Sequence, residues 1–271
     1  MSDRKPLWPR IRKVWVRLGL VVFVVFTGWS LLAYRATDNA RQALIGNDRV
    51  AVVRGAAGWS FTPRSGAVSP SVGLLFVAGA LVEPAAYAPL ARTVALAGYP
   101  VLLIELPRRG AFGGAVGGEV LGRARDAMQR MPEVDRWVIA GHSRGGEVAS
   151  RLARNGGPKI GGLVLVGTSH PRDFTLADLT IPVTKILGTR DGVSEVEKSE
   201  RNRRLLPATT RWVMIEGGNH SQFGWYGFQP GDHWATISRD RQQALTIQAI
   251  LEALAAVRSS RLSPERTADA P

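Results

Sequence analysis

From about residue 50 onward the chain alternates short apolar runs with stretches whose apolar residues recur at helical spacing. "RVAVVRG" and "GWSFTPR" read as strands. "SVGLLFVAG" (71–79) is apolar almost throughout, as expected of a strand buried on both faces. "PAAYAPLARTVALAG" follows, with proline at its start, helical spacing and a closing glycine. The alternation then repeats, with "YPVLLIELP" as strand, "GEVLGRARDAMQRMP" as helix, "RWVIAGHS" as strand and "RGGEVASRLARNGG" as helix. "KIGGLVLVGTS" and "PVTKILGTRDG" are further strands, "SEVEKSERNRRLLP" a helix and "TRWVMIEGGNH" the last strand. A final helix over 238–258 carries a stripe that includes Leu245, Ile247, Ile250, Leu251 and Leu254. From Ser259 a polar, proline-containing tail is expected to be disordered. Repeated β-then-α units predict an α/β fold: a mostly parallel, twisted sheet with helices on both faces. Ligands of such sheets bind beyond the carboxyl ends of the strands, so functional residues are sought there. One folded domain is expected over 45–258, with no internal repeat and no second domain.

The N-terminal pattern is different. "LGLVVFVVFTGWSLLAY" (18–34) carries no charge and is roughly 17 residues long, the lower limit for spanning a bilayer core. Trp15, Trp29 and Tyr34 flank it as interfacial residues do. Arg4, Lys5, Arg10, Arg12, Lys13 and Arg17 precede it, which predicts a cytoplasmic segment 1–17 and a domain outside the membrane. Gly28-Trp29-Ser30 has the spacing of a signal-peptide cleavage site, but the apolar run continues past it, so an uncleaved anchor is the expectation.

Charge adds little beyond that. The net charge of +13 could suggest nucleic acid, yet outside the N-terminal cluster the basic residues are scattered, with no stripe interleaved with aromatics, and no nucleic-acid partner is expected. The chain has no cysteine, which excludes disulfides and thiol catalysis. No group of residues has metal-ligand spacing and no glycine-rich loop has the lysine or acid of a nucleotide site; no cofactor is expected.

The chemistry lies at the strand ends. Gly141-His142-Ser143-Arg144-Gly145 is a G-x-S-x-G elbow between a predicted strand and a predicted helix, the context that presents a serine nucleophile. Asp191 closes "VTKILGTRD" as the candidate acid, and His220 follows the last strand as the candidate base. The order Ser, Asp, His is that of an α/β-hydrolase. Oxyanion donors are sought in the backbone N–H of Arg144 and in Ala80 or Leu81, after "LLFVAG". Other residues have blander readings. His142 adjoins the serine and either is the base or points elsewhere, His170 either lines the pocket or packs a loop, and His233 is structural. Arg144 meets either a substrate carboxylate or a surface acid. Glu83 opens a helix or touches substrate, and Asp232 rivals Asp191 as the acid.

"FVAGALVEPAAYAPLARTVALAGYPVLLIELP", "VIAGHSRGG", "LGTRDGV" and "GGNHSQFGWYGFQPGD" together resemble a small bacterial group of α/β-hydrolases related to dienelactone hydrolase. The resemblance covers about 71–232. It implies an α/β-hydrolase fold and a serine hydrolase with Ser143, Asp191 and His220 as triad, but supplies no substrate; the ordered triad at the strand ends makes cleavage of carboxylic esters the first expectation. Two departures stand out. "AGA" occurs where many relatives have a histidine-glycine pair, and dienelactone hydrolases use a cysteine nucleophile, which this chain lacks. Acyl transfer, thioester or amide cleavage, or ligand binding without catalysis would use the same fold.

Only "HPRDFTLADLTIP" (170–182) lies where many α/β-hydrolases insert a cap, so no cap domain is expected. Phe223 and the substrate-binding candidates Trp225, Tyr226 and Phe228 either wall an acyl or lipid-like substrate or pin a long loop to the domain. The glycine-rich loop 108–119 is expected at the rim of the site.

Overall fold

In a computed structural model the described residues are 7–64, 71–111, 113–115, 117–157 and 159–262. Eight strands form one sheet: β1 (Val50–Gly55), β2 (Gly58–Pro63), β3 (Val72–Val77), β4 (Val101–Ile104), β5 (Arg136–His142), β6 (Ile160–Val166), β7 (Val183–Gly188) and β8 (Arg211–Ile215). Their order is β1-β2-β4-β3-β5-β6-β7-β8. The β1–β2 hairpin pairs antiparallel on the edge against β4; every other pairing is parallel. The helices are α1 (Leu7–Ala33), α2 (Asp38–Gln42), α3 (Ala88–Leu96), α4 (Gly118–Gln129), α5 (Arg144–Arg154), α6 (Val196–Arg201) and α7 (Arg239–Leu262).

The continuous apolar runs exist because both faces of the sheet are covered. Side chains alternate across a strand. Leu74 and Phe76 of β3, Val138 and Ala140 of β5 and Val164 and Val166 of β6 face a core closed by Leu90 and Val94 of α3 and Ile250 and Leu254 of α7. Leu75, Val77, Ile139, Leu163 and Leu165 face the other core, closed by Val120 and Ala124 of α4 and Val148 and Leu152 of α5. Among the described residues no helix intervenes between β6 and β7, so nothing like a cap domain covers the site.

Several boundaries differ from expectation. The helix predicted to extend to Pro207 is cut short: α6 ends at Arg201, and a 3-10 turn, Arg203–Leu205, follows the non-helical Asn202. The chain expected to be disordered from Ser259 stays helical to Leu262; the rest of that tail lies outside the described residues. The packed body also begins before residue 45, with Ala36 and Ala40 buried in the core.

The apolar N-terminal segment is part of α1, and its Val21, Val22, Phe23, Val24 and Val25 side chains are all more than half exposed. Among the described residues no helix is long and apolar enough to cross a membrane. The span expected over 18–34 runs through Ser30 and Leu31, whose side chains lie outside the described residues, as does the start of the basic segment.

Candidate active site

Ser143 stands at the corner between β5 and α5 with φ 54° and ψ −119°, a conformation that costs about 1–3 kcal/mol and is held only by its surroundings. The glycines on either side are what permit it. A Cβ on Gly141 would lie 2.2 Å from the Gly145 carbonyl oxygen, and one on Gly145 would lie 2.2 Å from that of Val77. Strand, helix and neighbouring β3 therefore approach closely, and the serine is partly exposed at the mouth of α5.

Asp191 follows β7 and His220 follows β8. The His220 Nδ1 to Asp191 Oδ2 distance is 2.8 Å, with both side chains fully buried. A carboxylate only accepts, so Nδ1 carries the proton and Nε2 presents a lone pair. Among the described residues Nε2 is buried with no hydrogen-bond partner. Asp191 Oδ1 accepts from the backbone N–H groups of Val193 (2.9 Å) and Ser194 (2.6 Å), which fixes the carboxylate on its other side.

Asp232 has a different role from the acid it rivals. Its Oδ1 accepts from the N–H groups of Gly192 (3.1 Å) and His220 (3.2 Å), and its Oδ2 from Ser221 N (2.8 Å) and Ser221 Oγ (2.6 Å). It joins the loop of the acid to the loop of the base. Gln242 of α7 clamps the residue before His220 from the other side, accepting from Asn219 N at 3.0 Å and donating to Asn219 O at 2.6 Å. No local pattern marks either role; both depend on contacts distant in sequence.

The donors separate as well. Arg144 is the first residue of α5, so its N–H has no acceptor within the helix. Ala80 N–H has none among the described residues. Leu81 N–H is already committed to the carbonyl of Arg109 at 2.7 Å, in a backbone at φ 65°. Leu81 is thus corrected from donor to wall, leaving Ala80. The Arg144 side chain meets an acid of its own helix: its guanidinium lies 2.8 Å from buried Glu147, which Arg151 also pairs at 2.9 Å.

A cavity of about 240 Å³ opens at Ser143, lined in part by Tyr34, Leu81, Thr168, His170 and Gln229. A larger groove of about 750 Å³ lies between α3 and α7 and touches none of these groups; chemistry, not size, locates the site. His170 is neutral: burial, then the charges of Arg172, Arg144, Lys185 and Arg151, lower its pKa to about 3, and Glu147 at 3.5 Å is too distant for a good hydrogen bond.

Trp225, Tyr226 and Phe228 do not line this cavity. Trp225 borders the α3–α7 groove, and Phe228 stacks on Trp234 with ring centroids 4.2 Å apart. Tyr226 is buried, with its ring stacked on Tyr34 at 6.3 Å. The correction follows from an irregular loop, where side-chain direction has no period to read. These aromatics pin the loop.

What they pin it to is the exit of α1. Gly227 N–H donates to Ala33 O (2.7 Å) and Thr37 N–H to Trp225 O (2.9 Å), with Ala36 bridged to Tyr226 between them. On the other side Glu83 N–H donates to Tyr34 O (2.9 Å), and the Glu83 carboxylate accepts from Ala36 N (3.0 Å) and Arg41 (2.8 Å). Glu83 thus holds the exit segment and does not line the cavity.

A model of the alpha/beta hydrolase family matches residues 73–244. The chain belongs to the alpha/beta hydrolase family. No curated protein matches it significantly. Among solved structures it is similar to a ferulic acid esterase from Streptomyces cinnamoneus, with TM-score 0.55 and 20% identity over 71% of this chain and 68% of that one. A Klebsiella pneumoniae protein assigned to the dienelactone hydrolases gives TM-score 0.51 and 16% identity over 73% and 91%. A membrane phospholipase A described as a bacterial virulence factor gives 0.58 and 16% over 93% and 98%. At these identities the likeness establishes the fold, and this alpha/beta hydrolase's own residues must carry the chemistry.

Proposed function

We propose that the chain is a membrane-anchored serine hydrolase that cleaves carboxylic esters through an acyl-enzyme on Ser143. The observation that carries this reading is the buried Asp191–His220 pair, packed against the ring of the residue that precedes a serine in a strained elbow. His142, the residue before Ser143, has its ring centroid 4.4 Å from that of His220, so base and nucleophile share one corner of the fold.

His220 Nε2 takes the proton of Ser143 Oγ as the oxygen attacks the acyl carbon. Asp191 holds the ring in the required tautomer and stabilises its protonated form. The oxyanion turns towards the N–H groups of Arg144 and Ala80, each such donor contributing about 2.7–4 kcal/mol in the transition state. Collapse expels the alcohol, which leaves with the proton held by His220. Water, deprotonated by the same nitrogen, then attacks the acyl-enzyme and frees Ser143.

The anchor is the apolar run 18–34, which lies in α1 up to Ala33, with its basic end cytoplasmic and the domain outside. Its unpacked apolar side chains and preceding positive charge support this. Tyr34, next after α1, lines the Ser143 cavity, so the site opens at the foot of the anchor, where lipid-like acyl esters are concentrated. An esterase and a phospholipase A among the structural neighbours are consistent with that substrate class.

The test is turnover of 4-nitrophenyl esters, from acetate to long acyl chains, by the full chain in detergent. Ser143→Ala is expected to lower kcat by roughly 10⁴ to 10⁶-fold. A variant that keeps wild-type turnover would overturn the proposal.

A further inference from the structure

Behind the site lies a buried chain of contacts that the mechanism above does not use. Tyr87, in the 3-10 turn Pro84–Tyr87 before α3, is fully buried. Its hydroxyl accepts from Gly79 N–H at 3.2 Å and lies 2.8 Å from His142 Nδ1. With its lone pair facing Gly79, the hydroxyl donates its own proton to His142, so His142 Nδ1 is the acceptor. Gly79 directly precedes Ala80, the candidate oxyanion donor. His142 directly precedes Ser143, and its ring lies against those of His220 (4.4 Å) and Phe223 (5.5 Å). There is no slack around this joint: a Cβ on Gly79 would lie 2.8 Å from the Tyr87 hydroxyl and 3.0 Å from His142 Nδ1.

We propose that Tyr87 and His142 are positioning residues, a buried strut that sets the oxyanion donor on Ala80 in place relative to both Ser143 and His220. This rests on the proposed ester-hydrolase reading. The strut touches no substrate. It joins three parts that come from separate strand ends. Burial, then the charge of His220, keeps His142 neutral when His220 takes up its proton, so the ring serves as an uncharged wall and not as a second base. Misplacement of a reacting group by about 1 Å costs on the order of 100-fold in rate. Removing the hydroxyl is therefore expected to act on kcat, with KM little changed.

The test compares the full chain with Tyr87→Phe, His142→Asn and His142→Leu, using ester turnover and inhibition by an alkyl boronic acid, which mimics the tetrahedral intermediate. Tyr87→Phe is expected to lower kcat by about ten- to hundred-fold and to weaken boronate binding in proportion, with KM within about two-fold of wild type. His142→Asn, which keeps an acceptor for Tyr87, should retain more activity than His142→Leu. A rise in KM with unchanged kcat and boronate affinity would overturn the proposal, as would wild-type values throughout. If Tyr87→Phe does not fold, the two His142 variants decide: equal activity in both would overturn it. Ser143→Ala, assayed alongside, separates this outcome from failure of the ester-hydrolase reading, which would appear as turnover retained without the serine.

Discussion

Single residues account for most of the site's chemistry, and most of its strain. Ser143 at φ 54° is tolerated because Gly141 and Gly145 leave room for strand, helix and β3 to pass within contact distance. Lys185, in the middle of β7, is the opposite case: a fully buried ammonium whose Nζ donates to the carbonyl of His170 at 2.7 Å, with the Trp212 ring at 5.8 Å. Burial, aided by Arg172, lowers its pKa from 10.5 to about 7. The folded state thus binds this proton less readily than the unfolded chain. Its burial costs most below pH 7, and the cost is relieved as pH rises from about 7 towards 10.5. Lys185→Met removes that dependence. Its stability relative to wild type, from denaturant unfolding at successive pH values, is expected to fall across this window by up to about 1.4 kcal/mol per pH unit. A pH-independent difference would show that Lys185 titrates normally.

At the scale of elements, the exit of α1 is a structural part of the site. Residues 33–37 are hydrogen-bonded to the loop that follows His220 and to Glu83, three residues past Ala80. Burial raises the Glu83 pKa, but Arg41, the Ala36 N–H and the charge of Arg109 outweigh it, and the net shift is downward. Glu83 therefore stabilises the fold above the ordinary carboxylate range, and that contribution is lost as pH falls through its lowered value. Glu83→Gln is expected to cost up to about 1 kcal/mol at pH 7, the Arg41 pair being partly exposed. The difference from wild type should vanish in acid. Thermal unfolding at pH 7 and pH 3 checks it, and an equal loss at both would rule out the charge as its source.

Across the whole molecule, what the sequence made legible was what repeats or what forces the backbone. The central strands announced themselves because burial on both faces leaves β3 and β6 without a polar side chain and β5 apolar between Arg136 and His142. The elbow was legible because only glycine fits at 141 and 145, and Asp191 and His220 because parallel strands deliver their carboxyl ends to one edge. The contacts of Tyr87, Asp232 and Gln242 were not, since each reaches residues distant in sequence through a side chain with no local signature. The aromatics after His220 misled for a related reason: Tyr226 turns inward to meet Tyr34, a contact between chain segments nearly the whole domain apart. Leu81 failed as a donor because Arg109, in a loop of its own, already takes its N–H. In the proposed mechanism this fold brings the base to bear on one serine hydroxyl. Its most direct test is to treat the full-length chain in detergent with a fluorophosphonate and locate the adduct by peptide mass spectrometry. One adduct is expected, on Ser143, formed far more slowly in His220→Ala. An unlabelled Ser143 in the folded chain, or labelling at the same rate without His220, would contradict it.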